Sequence, residues 1–316
     1  MEARLAAGCA LGIDIGGTAT KIGIVTPGGI VKSVDSVPTI GDPNLFLKRV
    51  FDTAMRLRAT LNLEIVGVGI AVAGFLDENR STMTFNPNIP WLEHFPLQQA
   101  FGERFQLPVL LEVDSNAAAL AEYRYGAGRG ARRLLCLCIG TGVGGAMVVD
   151  GALVRLAHQC IGDPGHVLVL PDGPECTSGC HGCAEALVSA PAIMERACSA
   201  LASGSHSVLS SLHYRPSVKE IIEAGRQGDA LARKVLGETG VWLGAAIGSL
   251  AAIFCPDRVV VAGGVAEADG LLLKPAEARF RSQTGVAYHT GVELCKAYLG
   301  WQAGMVGAAS AVWVGR

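Results

Sequence analysis

The chain has 316 residues, half of them hydrophobic and only 17% charged, with a formal net charge of −2. That length is enough for about two domains and a large buried interior, and the near-neutral balance gives no reason to expect nucleic acid or an anionic membrane as the main partner. Ten cysteines are too few for a disulfide scaffold; several sit in apolar runs such as Leu134 to Ile139, where Cys acts as a small hydrophobe, and this usage suits a reducing cytoplasm.

In chain order, Glu2 and Arg4 precede only a short apolar run, so no signal peptide is read there. Cys9 to Ile15 is an apolar run stopped by Gly16-Gly17, and Lys21 to Val25 is a second, which reads as strand, glycine turn, strand. Glycines at such a turn let backbone N–H groups approach phosphate oxygens. Thr18 adds a hydroxyl, Lys21 a cation, and Asp14 a carboxylate able to hold Mg²⁺ through water. The same residues also suit a tight hairpin around a buried Asp, and the turn lacks both the Walker and the dinucleotide-binding glycine spacings.

Leu47, Val50, Phe51, Ala54, Leu57 and Leu61 then recur at helical spacing, with Lys48, Arg49, Arg56 and Arg58 on the other face. Strands are expected at Ile65 to Ala71 and Val109 to Val113, and a helix from about Ser115 to Tyr125. Asp114 lies between the last two. It suits either a helix cap or a general base that takes a proton from an attacking hydroxyl. A second strand–glycine turn–strand runs from Leu134 through Gly140-Thr141-Gly142-Val143-Gly144-Gly145 to Val149. One such hairpin in each half suggests two related α/β domains, with two phosphate loops facing each other across a cleft.

From Gly162 to Glu185 the chain places three cysteines, Cys176, Cys180 and Cys183, within eight positions, ten residues after His166 begins the count. Thiolates and an imidazole at this spacing can close a tetrahedral Zn²⁺ site. A redox CxxC is the alternative, but it needs neither Cys176 nor His166. Asp163 and Glu185 flank the cluster, and such carboxylates suit a grip on a polyhydroxylated ligand.

Further helices are expected at Ala184–Ser203, Val218–Arg226, Ala230–Phe254, Leu271–Arg281 and Ala303–Val314, the last packing back on the first domain. Thr239 to Pro256 is uncharged and spaces Gly240, Gly244 and Gly248 four apart, like a membrane helix-packing face. The strand at Val259 to Ala262 follows almost at once, so this segment reads as a helix packed closely on a soluble sheet. Gly263-Gly264 ends that strand, where backbone can lie flat against an adenine or ribose.

In these motifs, taken in this order, the chain resembles the ROK family of sugar kinases, open reading frames and repressors nearly end to end. The family's first phosphate loop matches Asp14 to Thr18, its second Gly140 to Gly142, and its adenosine motif Gly263 to Ala266. Its catalytic aspartate falls on Asp114, followed by Asn116 to Glu122. Its sugar loop resembles Pro87 to Trp91, preceded by Ala73-Gly74, and its zinc signature resembles Gly162 to Glu185.

The resemblance implies an α/β chain with the two-domain, actin-like (ribonuclease H-like) ATPase fold and a cleft between duplicated α/β domains. The smaller N-terminal domain would be 1–114, with a C-terminal helix at about 300–316 packing back on it. The larger domain, 115–299, would carry the zinc loop. The implied activity is ATP-dependent phosphorylation of a hexose or N-acetylhexosamine at the 6-hydroxyl, glucokinase-like, with Asp114 as general base. Gly74, Asn88, Asp163, His166 and Glu185 would orient the sugar. Asp14, Gly16, Gly17, Thr18, Lys21, Gly140, Thr141, Gly142, Gly263 and Gly264 would hold ATP and Mg²⁺, and His166, Cys176, Cys180 and Cys183 a structural Zn²⁺. A cytoplasmic homodimer without nucleic-acid or membrane partners is expected.

Three departures from the family pattern matter, the first two for the substrate and the third for the metal loop. Val113 stands where the family usually has a sugar-contacting Asn, Asp163 where it has Glu, and Ser178 where it has a zinc-loop cysteine, which Cys180 would replace. The first two changes admit a second reading, a sugar-binding protein without catalysis. A DNA-binding regulator is a third, but the first strand begins at about residue 9 and leaves no room for a winged helix. The residues leave the sugar open, and also whether the donor is ATP, another nucleotide or polyphosphate.

Overall fold

The computed structural model describes residues 8–61, 63–86 and 89–314. It divides into two compact units: Met1–Arg129 with Ala146–Gly162 and Trp301–Arg316, and Gly130–Gly145 with Asp163–Gly300. The expectation put the boundary at Asp114–Ser115. In the structure the helix that follows Asp114 stays with the first unit, because it packs against the C-terminal helix.

The first unit is built on strands β1 (Cys9–Ile15), β2 (Ala19–Val25), β3 (Val31–Pro38), β4 (Ile65–Val72) and β7 (Val109–Val113), in the sheet order β3-β2-β1-β4-β7. β1 and β2 form an antiparallel hairpin, while β1, β4 and β7 run parallel. The short pair β5 (Phe75–Leu76) and β6 (Met83–Phe85) stands apart. Every residue of β4 is buried, as expected for a parallel strand covered on both faces. Helices α1 (Pro43–Ala59), α2 (Leu97–Phe105), α3 (Asp114–Tyr125) and the C-terminal helix, Ala303–Val314, belong to this unit. A row of glycines in register, Gly23, Gly12 and Gly69, crosses β2, β1 and β4. A Cβ on Gly12 would lie 2.2 Å from the Met305 carbonyl oxygen, and one on Gly69 1.8 Å from that of Ala308. The C-terminal helix therefore rests its backbone in a trough that no side chain can occupy, which draws it back onto the first sheet.

The second sheet has the same order, β10-β9-β8-β11-β12, with β8 (Arg133–Ile139), β9 (Val143–Val149), β10 (Ala152–Leu153), β11 (Arg258–Ala262) and β12 (Glu293–Lys296). Here β8, β11 and β12 are the parallel strands. The repeat of one strand order in both sheets is the duplication that the two glycine hairpins announce.

The helices of the second unit are α4 (Ala184–Val188), α5 (Ala190–Ala202), α6 (Val218–Arg226), α7 (Ala230–Phe254), α8 (Gly270–Gln283) and α9 (Val286–His289); the C-terminal helix is α10. The single helix expected at Ala184–Ser203 is thus two. Pro191 sits in the first turn of α5, the one place where its missing N–H is tolerated. A second correction concerns Gly240, Gly244 and Gly248. They face α8 and not a sheet: Cβ atoms there would lie 2.3 Å from Leu272 O, 2.2 Å from Ala276 O and 2.4 Å from Thr284 Oγ1. α7 is long and apolar enough to cross a membrane, with 56% of its most apolar window buried inside the protein.

Candidate functional site

In the first unit, candidate residues gather at the carboxyl ends of the parallel strands, where open α/β sheets place their ligands. Asp14 is the penultimate residue of β1, Gly74 lies two residues past β4, and Asp114 follows β7; these strands are neighbours, with Asp14 beside Ala71 and Val72 beside Val113. Lys21 lies directly across the hairpin from Asp14, and its Nζ donates to Asp14 Oδ2 at 3.0 Å. Gly17 and Thr18 form the exposed tip of the turn, and Gly16 N–H closes it onto Ala19 O. The first turn of α10 abuts the Asp14 carboxylate, since a Cβ on Gly304 would lie 2.9 Å from its Cγ. A helix N-terminus at this point favours negative charge.

Asp114 is the first residue of α3, and its Oδ1 accepts from Ser115 N–H at 2.6 Å. Burial pushes its carboxyl up from 3.8 to about 6, and the Asp14 charge adds to the rise; the Ser115 N–H and Lys21 pull the other way. A carboxylate displaced toward neutrality is suited to accepting a proton near physiological pH. Val113, just before it, is buried in the apolar core of the unit, so this chain presents no polar side chain at that position.

Gly74 has φ +93°, and a Cβ there would meet Phe85 O at 2.2 Å. Buried Asn86 donates from Nδ2 to Ala73 O and from its backbone to Glu93 Oε1. These bonds fix the chain just ahead of the segment expected to hold the sugar; Pro87 and Asn88 themselves, the latter an expected sugar contact, lie outside the described residues. Sequence reasoning passed over Glu112, buried two residues before Asp114 and paired with Arg155. The available signal was an acid inside the apolar run Leu110-Leu111-Glu112-Val113.

In the second unit, the turn Gly140–Gly142 is closed by Gly140 N–H to Gly142 O, and Ala190 N–H at the start of α5 donates to Gly140 O. Glu185 braces the same turn: its Oε2 accepts from Val143 N–H at 3.0 Å, while its Oε1 accepts from Thr177 Oγ1 at 3.1 Å. Gly263, with φ +91°, lies flat on the turn's entry, because a Cβ would sit 2.2 Å from Ile139 O. Thr141, Cys176, Glu185 and Trp242 share the wall of a cavity of about 550 Å³, a size typical of small-molecule sites.

The metal-ligand candidates converge in part. Ligand atoms of His166, Cys176 and Cys183 lie within 4.8 Å of one another, with His166 Nδ1 3.8 Å from Cys176 Sγ. These separations and soft donors suit a tetrahedral Zn²⁺. Backbone N–H groups of Ser178 and Ala186 point at the sulfurs of Cys176 and Cys183, the kind of outer contact that orients thiolate ligands. Cys180 is outside this trio but close enough to Cys176 that, after burial, the Cys176 thiol is the main influence raising its own thiol. The other ring nitrogen of His166, Nε2, lies 3.4 Å from Asp163 Oδ2. Burial raises the Asp163 carboxyl, with His166 opposing.

The ROK family model matches residues 10–314. A glucokinase of Streptomyces coelicolor is 34% identical over 309 residues, 96% of each chain. A ROK family glucokinase of Streptomyces griseus, crystallised with glucose and AMPPNP, is 35% identical, covers 96% of this chain and 98% of its own, and superposes with a TM-score of 0.84. A ROK family transcriptional regulator, homologous to the Escherichia coli MLC protein, is 26% identical with a TM-score of 0.87, over 97% of this chain and 79% of its own.

Proposed function

The chain belongs to the ROK family, with the actin-like ATPase fold, and from that premise we infer that it is an ATP-dependent sugar kinase acting on a hexose or N-acetylhexosamine. The observation that carries the mechanism is Asp114: a carboxylate at the carboxyl edge of the first sheet, raised to about 6, next to the charge of Asp14. In this reading Asp114 accepts the proton of the sugar 6-hydroxyl as that oxygen bonds to the γ-phosphorus. The bond from phosphorus to the bridging oxygen breaks, and ADP leaves.

Asp14 to Thr18 with Lys21, Gly140 to Gly142, and Gly263-Gly264 are read as the nucleotide contacts. The glycines admit phosphate oxygens to backbone N–H groups, and Lys21 supplies charge. Mg²⁺, held through water by Asp14, would neutralise phosphate charge when bound. Asp163, His166, Glu185, Gly74 and Asn88 are read as sugar contacts. His166, Cys176 and Cys183, with Cys180 swinging in as the fourth ligand, would hold Zn²⁺, which stiffens the loop bearing His166. Glucose heads the candidate substrates because the glucokinase relatives carry that name. A cytoplasmic homodimer completes the reading, by family likeness.

ADP release with Mg·ATP tests it across glucose, mannose, fructose, allose, glucosamine, N-acetylglucosamine and N-acetylmannosamine, with Asp114→Asn beside the wild type. Turnover on one or two sugars, lost in the variant, supports the kinase and names its substrate. Silence from protein that still binds ATP refutes it and favours a sugar-binding protein, the reading that Val113 and Asp163 motivate.

A further inference from the structure

Glu112 is 1% exposed, within an otherwise apolar β7 and two residues before Asp114. Both its oxygens are engaged. Oε1 accepts from Arg155 Nη1 at 2.8 Å, from Asn116 Nδ2 at 2.9 Å and from Val113 N–H at 3.0 Å. Oε2 accepts from Arg155 Nη2 at 2.5 Å and from Arg80 Nη1 at 3.5 Å. Replacing a buried ion pair by apolar side chains of similar volume is often neutral or stabilising, so stability alone is a weak account of a charge here.

The bonds made by Glu112 run toward Asp114 from both sides. Val113 N–H is the peptide just ahead of it, and Asn116 lies in the first turn of α3 just after it. Asn116 also donates to Gln159 O at 2.8 Å, and its buried Oδ1 has no protein partner. Arg155 and Gln159 thereby fasten the 155–160 segment to the β7–α3 corner. His158 of that segment stacks on Phe75, 4.8 Å between ring centroids, one residue from Gly74. A single carboxylate thus ties the strand end bearing Asp114 to the segment that supports the Gly74 turn.

We propose that the Glu112–Arg155 pair is a positioning device for the phosphoryl-transfer reaction: it holds the β7–α3 corner so that the Asp114 carboxylate keeps its direction toward the sugar hydroxyl. The inference rests on Asp114 as base. A base held in a fixed direction loses rate when its frame shifts, by about a hundredfold for an ångström, whereas nucleotide contacts made elsewhere are spared.

The test compares Glu112→Gln, Arg155→Lys, Arg155→Met, the Glu112→Gln/Arg155→Met pair and Asp114→Asn in the full chain. It reads kcat, both KM values, the pH profile of kcat, and thermal melting as the check of folding. For Glu112→Gln and Arg155→Met, kcat falls roughly 10- to 100-fold while KM for ATP stays within about twofold. Arg155→Lys recovers part of the loss, since it restores charge without the bidentate fork.

The charges acting on Asp114 are Asp14 from β1 and Lys21 from β2, with the N-terminus of α10 beside Asp14; Glu112, two residues before Asp114, is countered by Arg155 and Arg80. Arg155→Met leaves Glu112 with only the longer contact to Arg80, so the acid limb of kcat moves to higher pH, and the double variant brings it back. Folded variants with kcat within about threefold of wild type and an unmoved acid limb overturn the proposal and leave the pair a structural tie. If Arg155→Met does not fold, Glu112→Gln and Arg155→Lys decide by the same criterion. An unchanged kcat in Asp114→Asn removes the base and this proposal together. Loss there with normal Glu112→Gln and Arg155→Lys removes only the pair.

Discussion

Replacing Asp114 with Asn should make the protein more stable at neutral pH while destroying its turnover. The carboxyl rises from 3.8 to about 6 on folding, chiefly by burial and then by the charge of Asp14. At about 1.36 kcal/mol for each tenfold change in proton affinity, the ionised side chain costs the folded state about 3 kcal/mol. The sign follows from the direction. A carboxyl raised on folding contributes most below its unfolded value, and that contribution is lost as pH rises through about 6. Asn keeps the size and an oxygen able to accept the Ser115 N–H, but carries no charge to desolvate or to repel Asp14. The variant should therefore match wild type below pH 4 and exceed it by up to about 3 kcal/mol at pH 8. Its kcat should fall at least about a hundredfold, the range of a positioned base, with ATP affinity nearly intact. Urea unfolding of both proteins at several pH values, beside the wild-type kcat–pH profile, measures this. A stability difference that does not change with pH, or a variant less stable at pH 8, would show that the Asp114 carboxyl is not held at a raised value. A near-wild-type kcat would show that another group takes the proton.

Other outcomes follow from close contacts in the structure. Gly244→Ala drives a Cβ to 2.2 Å from the Ala276 carbonyl; parting α7 from α8 should cost at least about 1–3 kcal/mol, read by thermal melting, and an unchanged midpoint refutes so close a crossing. Gly263→Ala combines φ +91° with a 2.2 Å clash on Ile139, so KM for ATP should rise while melting shows a folded protein; an unchanged KM separates this turn from the nucleotide. Cys183→Ser removes one of three convergent ligand atoms and should lose zinc and sugar affinity together, by metal analysis and calorimetry. Full sugar affinity in a metal-free variant would dissociate loop and sugar site.

Local rules carried much of the chain. Apolar runs ending at Gly16 and at Gly140 were legible as hairpins because glycine stops a strand and opens a turn whatever surrounds it. Val218–Arg226, Ala230–Phe254 and Ala303–Val314 stand where helical periodicity set them. The family, the fold and a kinase-type activity could be read from motif order alone. What the sequence could not state was which surfaces meet. Gly240, Gly244 and Gly248 declared a close approach but not its partner, and tertiary packing chose α8. The break between α4 and α5 depended on where Pro191 falls in a helical turn. Glu112 drew no reading from the sequence, and its charge is neutralised by Arg155, 43 positions on. Whether a buried charge is tolerated depends on partners supplied from distant sequence. Sequence by itself named the groups offered for the chemistry, because glycine, thiol and carboxylate act through local properties. Only the tertiary structure decided their state: Asp114 is raised by burial and by Asp14, one hundred residues away, since desolvation and charge act through space and not along the chain.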